Sequence, residues 1–432
     1  MALFFVNFLD RTNLGIAKAE VSADLQLSAT LFGLASGIFF IGYVLVEIPS
    51  NLALVRFGAR RWLARIAVSW GVVAVAIAFA PNATTLLALR FLLGVAEAGL
   101  FPGVIFYLSQ WFPAAYRARV AGVFMLAIPV SSAIGTPLAA WLIQSGYGTF
   151  GLAGWRFMMI CVGLPAVLLG LVCWFYLTDR PADARWLTDE QRHWLIDRLT
   201  AEEQDVNSNF HYPLRRTLTS PRVWALALVN FAALYGLYAL AFFQPTIVAG
   251  FRETFAVQLS LVQVGLITAI PYAFGAVAMF LWSRHADRTG KHVRQVAGAL
   301  IVGGLAIPVA LYLRHPYTVM VAVTIAAMGI FSALPVFWAL PTRFLTGAAA
   351  AGGIALINSV SNLGGFAAPY ITGALQDLTG NDRAGMWAIG LIMLLGAALV
   401  VWLGAAPTSD GNAVAGEDHR SQPTEKATGP PA

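Results

Sequence analysis

The chain has 432 residues, of which 59% are hydrophobic, 12% aromatic and 11% charged. Soluble domains carry about 25% charged residues, so this chain has too few charges to cover a globule in water, which excludes a soluble enzyme and a disordered protein. The net charge is +6, but the cations fall between apolar runs rather than on one face, a pattern of membrane topology and not of nucleic-acid binding.

A bilayer core of about 30 Å needs roughly 20 apolar residues per helix. Twelve such runs follow one another, at 2–17, 30–54, 62–80, 84–110, 118–143, 155–177, 223–249, 261–283, 295–313, 317–338, 348–374 and 385–405. The expected fold is therefore an all-α integral membrane protein with 12 transmembrane helices. A first six-helix bundle covers 1–177, a polar cytoplasmic linker 178–222, and a second bundle 223–406. The tail 407–432, rich in Ser, Gly, Pro and charge, is expected to be disordered and cytoplasmic.

With the N-terminus in the cytoplasm, the inner loops hold Arg56, Arg60, Arg61, Arg65, Arg117, Arg119, Arg284, Arg288, Lys291, Arg294 and Arg343. The linker adds Arg180, Arg185, Arg192, Arg198, Arg215, Arg216 and Arg222, and the tail Arg420 and Lys426. The outer side keeps Lys18, Arg156, Arg252, Arg314 and Arg383. Both termini are therefore expected inside.

Helix 1 carries Asp10 and Arg11. Adjacent on a helix, they point about 100° apart, so each needs a partner elsewhere. Only nine residues precede Asp10, about 13 Å of helix, and the native chain is expected to start upstream of Met1. Helix 2 carries Glu47 just before Pro49, where pairing with cationic loop residues would make it part of a cytoplasmic gate. Helix 4 carries Arg90 and Glu97, two turns apart on one face and roughly 10 Å apart along the axis. That is too far for a direct ion pair but suits two stations lining one cavity, with Gly94 and Ala98 offering a track for a close neighbouring helix.

Each ionisable group near the centre of a span costs roughly 2.5–3.5 kcal/mol, and four together about 10–14 kcal/mol before pairing or hydration. One reading is that they only tie helices 1 and 4 together. The stronger one is an anion site made by Arg11 and Arg90 beside a carboxylate that takes up a proton. A guanidinium stays charged when buried and grips a carboxylate with two donors, so substrate on the arginines would change what the neighbouring carboxylate feels. No metal is needed.

Further along, Gly135-Thr136-Pro137 is expected to kink helix 5. Cys161 and Cys173 on helix 6 are twelve residues apart, roughly 18 Å, and cannot form a disulfide. Thr188-Asp189-Glu190-Gln191 in the linker fits a capping box opening a short helix with Trp194, Leu195 and Leu199 as its apolar stripe, a strut between the halves in preference to a regulatory site. Gln244 in helix 7 and Asn358, Ser361 and Asn362 in helix 11 are the notable polar groups of the second half; for Gln244 and Asn358, substrate contact and polar glue between helices stand about even. Tyr235, Tyr238 and Tyr272 are expected to pack rather than bind, and Trp338 and Trp402 to anchor helix ends at the membrane interface.

The halves echo each other: Arg56-Phe57-Gly58-Ala59-Arg60-Arg61 follows the second helix of one, and Ala286-Asp287-Arg288-Thr289-Gly290-Lys291 the second helix of the other. This repeated Gly-containing cationic turn resembles the loop 2–3 motif of the major facilitator superfamily. In the first copy Val55 stands at the acidic position, which puts an aspartate-based latch there in doubt. The resemblance implies two pseudo-twofold-related bundles, with Arg56, Gly58, Arg60, Arg61, Asp287, Arg288 and Gly290 as gating motif. Phe8-Leu9-Asp10-Arg11-Thr12-Asn13-Leu14-Gly15, Gly42-Tyr43 with Glu47-Ile48-Pro49-Ser50-Asn51, Arg90 through Gly99 with Pro102-Gly103, and Trp111-Phe112-Pro113 resemble the anion:cation symporter family, in particular its tartrate- and phthalate-type members.

That resemblance implies proton-coupled uptake of a small mono- or dicarboxylate (tartrate-, phthalate- or sugar-acid-like) across a bacterial inner membrane by a monomer that needs no cofactor beyond the coupling proton. It assigns Arg11, Arg90 and Tyr43 to substrate, Asp10 and Glu97 to protons, and a substrate-binding asparagine to helix 11, where Asn362 is preferred to Asn358. The alternative is a proton-coupled exporter of organic anions. No metalloprotease or nucleophile-elbow motif is present and no signalling domain is appended, so neither an enzyme nor a receptor is expected.

Overall fold

The computed structural model describes residues 1–208, 219–341, 347–381 and 383–405. The tail 407–432, and Arg215, Arg216 and Arg343 among the topology-setting cations, lie outside the described residues.

Among the described residues, twelve helical spans follow in chain order. In the first half these are α1 (Ala2–Ile16), α2 (Ala29–Phe57), α3 (Ala59–Ile77), α4 (Ala83–Glu97 and Leu100–Ser109), α5 (Ala114–Met125 and Ala127–Gly146) and α6 (Gly154–Tyr176). A linker helix, Asp189–Ser208, precedes α7 (Pro221–Ala249), α8 (Leu261–Thr289), α9 (His292–Ala310), α10 (Pro316–Trp338), α11 (Gly347–Thr379) and α12 (Arg383–Ala405). Local chemistry sets the starts. Ser28 Oγ caps α2 by accepting from Leu31 N at 3.2 Å, Asn82 Oδ1 caps α4 through Thr85 N at 2.9 Å, and Ser260 with Gln263 forms a capping box on α8. The linker box also closes: Gln191 N donates to Thr188 Oγ1 at 3.3 Å and Thr188 N to Gln191 Oε1 at 3.2 Å.

Among the described residues, nine helical stretches are long and apolar enough to cross a membrane. Of the other spans, α1 has 15 residues and α3 carries Arg60, Arg61 and Arg65 near its start. Leu168, Phe175, Leu391, Leu395 and Trp402 are exposed, an apolar surface that lipid covers.

Within the halves, α3 packs on α6 and α2 on α4, while α9 packs on α10 and α7 on α11. Across the halves, α2 meets α11, α5 meets α8 and α1 meets α7. These contacts are tightest at the end where α2 begins and α11 finishes. A side chain at Gly33 would strike the Pro369 carbonyl, and the Asp377 carboxylate accepts from Ala29 N at 3.2 Å and Thr30 N at 2.7 Å. The halves part toward the opposite end, where α2 and α4 finish, around a cavity of about 540 Å³ lined by Leu52, Val55, Ile105, Trp338 and Ile354.

Helix 4 is not the continuous span expected over 84–110. Pro102 has no N–H to give the Ala98 carbonyl, Gly99 turns at φ +86°, and Ser50 Oγ from α2 donates to that carbonyl at 2.6 Å. Glu97 thus ends the first piece of α4, beside the break.

Candidate functional site

Arg11 stands at the junction of α1, α2, α4 and α7. Its Nε and Nη2 both donate to Glu97 Oε1, and its Nη1 donates to the Tyr238 hydroxyl at 3.2 Å. Its guanidinium carbon lies 4.9 Å from the Tyr43 ring centre, 5.2 Å from that of Phe39 and 5.7 Å from that of Phe8. Arg11 is 7% exposed and Glu97 0%. A buried pair of this kind offsets a large desolvation cost only while both partners stay in place. Asp10, pointing to another side of α1 as adjacency requires, is buried and accepts from Asn13 Nδ2 at 3.3 Å.

Arg11 and Tyr43 line a cavity of about 70 Å³ between the halves, together with Phe4, Phe8, Phe101, Asn230, Leu237, Tyr238, Met279, Trp338, Asn358 and Asn362. Phe101, Trp338 and Asn358 also line the larger cavity, so the two join there. At that boundary Glu47 on α2 accepts from Asn358 Nδ2 at 2.5 Å and from Ser359 Oγ at 3.1 Å, both on α11. Glu47 was expected to meet cationic loop residues. It sits too deep in α2 to reach them and instead bridges the halves through neutral polar groups.

Three other expectations need revision. Arg90 does not line the cavity. Its Nε donates to the Ala35 carbonyl at 3.1 Å and its Nη2 to that of Ser36 at 3.4 Å, and Phe39 stands between it and Arg11, 5.4 Å from the Arg90 guanidinium carbon. Gln244 lies toward the closed end, donating to the Thr268 carbonyl at 2.9 Å beside a small apolar void, where it ties α7 to α8. Trp338 is a cavity wall, whereas Trp402 does face outward at 57% exposure.

Tyr238 and Asn230 face the site although sequence reasoning read one as packing and passed over the other. Their signal is a polar group inside a long apolar helix, equal in kind to the signal that drew Gln244 forward. Asn230 Nδ2 donates to Ser361 Oγ at 2.9 Å. On α11, Asn362 Nδ2 donates back to the Asn358 carbonyl at 3.0 Å.

In the loop after α2, Gly58 turns at φ +87°. The acid missing at Val55 is supplied from beyond α6: Asp179 accepts from Arg60 N at 2.7 Å, its carboxylate packed against Gly58. Arg56 lies over Phe57, 5.6 Å from the ring centre, and Arg61 is exposed at the start of α3. In the second copy, Asp287 and Arg288 end α8, and Gly290 closes it at φ +64°.

A profile of the Major Facilitator Superfamily matches residues 1–369 and 226–429. A protein of Agrobacterium vitis, named provisionally as a tartrate transporter, is 44% identical over 420 residues, covering 97% of this chain and 95% of that one. A quinolone resistance transporter of Acinetobacter baumannii is 39% identical over 394 residues, covering 91% and 89%. Among solved structures, the xylose transporter XylE from E. coli, in a partially occluded inward open conformation, superposes with a TM-score of 0.71 at 18% identity, over 94% of this chain and 98% of that one. That likeness is one of fold.

Proposed function

The chain belongs to the Major Facilitator Superfamily as a secondary transporter, and from that premise we propose that it carries a small organic anion into the cell together with protons. The observation that carries this reading is the buried Arg11–Glu97 pair in the wall of a cavity between the two halves. A substrate carboxylate that engages Arg11 takes the place of Glu97 on the guanidinium. The displaced Glu97, in an apolar enclosure without its partner, is then neutralised by a proton, with Asp10 beside it as a second station. Anion and proton therefore travel together.

The name of the Agrobacterium vitis relative supports a small carboxylate as cargo. The cation-rich ends of α2, α4 and α8 support assigning that end to the cytoplasmic face of a bacterial inner membrane; on this reading the 540 Å³ cavity faces the cytoplasm with the outer end shut. The protein acts as a monomer without a bound cofactor. Alternating access follows from rocking one half against the other around Arg11. The test is uptake of aromatic, sugar and C4 carboxylates into proteoliposomes with and without an inward proton gradient. Gradient-driven accumulation of one of them is the expected result; gradient-independent equilibration of all of them contradicts it. Export is the second reading, favoured by the quinolone resistance relative, and gradient-driven expulsion in the same vesicles would establish it.

A further inference from the structure

Resting on the transport reading above, the walls of the same site narrow its cargo. We propose that the cavity takes an aromatic monocarboxylate in preference to a dicarboxylate or a polyhydroxylated acid.

The donors of Arg11 set the charge of the cargo. A guanidinium has five N–H groups. Here Nε and Nη2 are engaged by Glu97 and Nη1 by Tyr238, while Phe8 and Tyr43 lie against the guanidinium. A carboxylate that displaces Glu97 therefore meets a single two-donor edge, Nε with Nη2. The other arginine at this depth, Arg90, is held by the carbonyls of Ala35 and Ser36 and does not reach the cavity. Among the described residues that line it, Arg11 is the one cation. A second carboxylate on the cargo would be desolvated with nothing to pair with.

The remaining wall sets the body of the cargo. Phe4, Phe8, Phe101, Leu237, Met279 and Trp338 give it apolar and aromatic faces, which match a ring by area and by edge-to-face or stacked contact. The hydroxyls of an aldonic or tartaric acid would lose water against these side chains without regaining hydrogen bonds. The polar capacity on the second half is small. Asn358 Nδ2 is tied to Glu47, Asn362 Nδ2 to the Asn358 carbonyl and Asn230 Nδ2 to Ser361 Oγ, and Asn230 Oδ1 is buried. This cargo departs from the tartrate for which the Agrobacterium vitis relative is named.

The test uses the full chain in detergent, titrated with benzoate, 4-hydroxybenzoate, phthalate, tartrate and gluconate, followed by uptake of the same labelled acids into proteoliposomes. The two monocarboxylates with a ring are expected to bind at least about tenfold more tightly than the other three and to be transported. Trp338→Leu, which keeps apolar bulk and loses the indole face, is expected to weaken 4-hydroxybenzoate about tenfold. Equal or tighter binding of phthalate, tartrate or gluconate overturns the cargo assignment and leaves transport standing if that acid is taken up. Unchanged 4-hydroxybenzoate affinity in Trp338→Leu overturns the aromatic contact. Transport of none of the five overturns both this inference and the reading it rests on.

Discussion

Arg11 gives N–H donors from three nitrogens to two acceptors on different helices, Glu97 of α4 and Tyr238 of α7. A lysine at this position carries the charge but has no planar fork with which to span them. Arg11→Lys is therefore expected to weaken substrate binding by roughly 10- to 100-fold, the loss of one charge-assisted hydrogen bond at about 1.5–3 kcal/mol; calorimetric titration of the purified variant measures it, and unchanged affinity would remove Arg11 from the site. Charges on α1 and α4 were legible in the sequence because an ionisable residue inside an apolar run is costly and stands out. Their partners were not. Arg90 and Glu97 share a face of α4 by spacing alone, yet the long arm of Arg90 reaches the backbone of α2, and Phe39 separates the two guanidinium groups. Which carbonyl or ring an arginine finds depends on neighbouring helices that periodicity does not locate. The same gap hid Trp338, whose place in the cavity depends on how α10 is rotated.

The spans themselves were legible, since composition and length dictate them. The break in α4 was not. It depends on Pro102 withholding a donor and on a hydroxyl from another helix supplying it. Ser50 accepts from Trp62 Nε1 at 3.0 Å while donating to Ala98, so one hydroxyl joins α2, α3 and the opened turn of α4 that ends on Glu97. Ser50→Ala leaves the carbonyl and the indole N–H unpaired in a buried place, at about 1–3 kcal/mol each. Thermal unfolding in detergent is expected to show a lower Tm, with weaker binding because Glu97 is no longer held against Arg11; wild-type values for both would show that the break needs no support from α2. In the same way Asp179 replaces the acid absent at Val55, a substitution in space that a local motif cannot disclose.

At the scale of the whole molecule the two ends differ in what holds them. At the closed end, glycine-mediated contact between α2 and α11 is secured by Asp377, which caps the start of α2 from the other half. At the other end, Glu47 with Asn358 and Ser359 is a polar tie across an otherwise open mouth. Removing the Asp377 cap costs about 1 kcal/mol, enough to shift a two-state ratio about fivefold toward the outward-open form. Asp377→Ala is therefore expected to slow maleimide labelling of a cysteine placed at Ile105, in a background where Cys161 and Cys173 are serine. Faster or equal labelling would mean that the outer closure does not rest on this cap.

Coupling of anion to proton is the central claim, and Glu97→Gln isolates it, because the amide keeps the shape of the side chain and cannot carry the proton. The direct measurement compares, in proteoliposomes, accumulation of the tightest-binding acid against its gradient with one-for-one exchange of the same acid. Lost accumulation with exchange retained is the result this account predicts. A Glu97→Gln protein that still concentrates the acid at the wild-type level would contradict it.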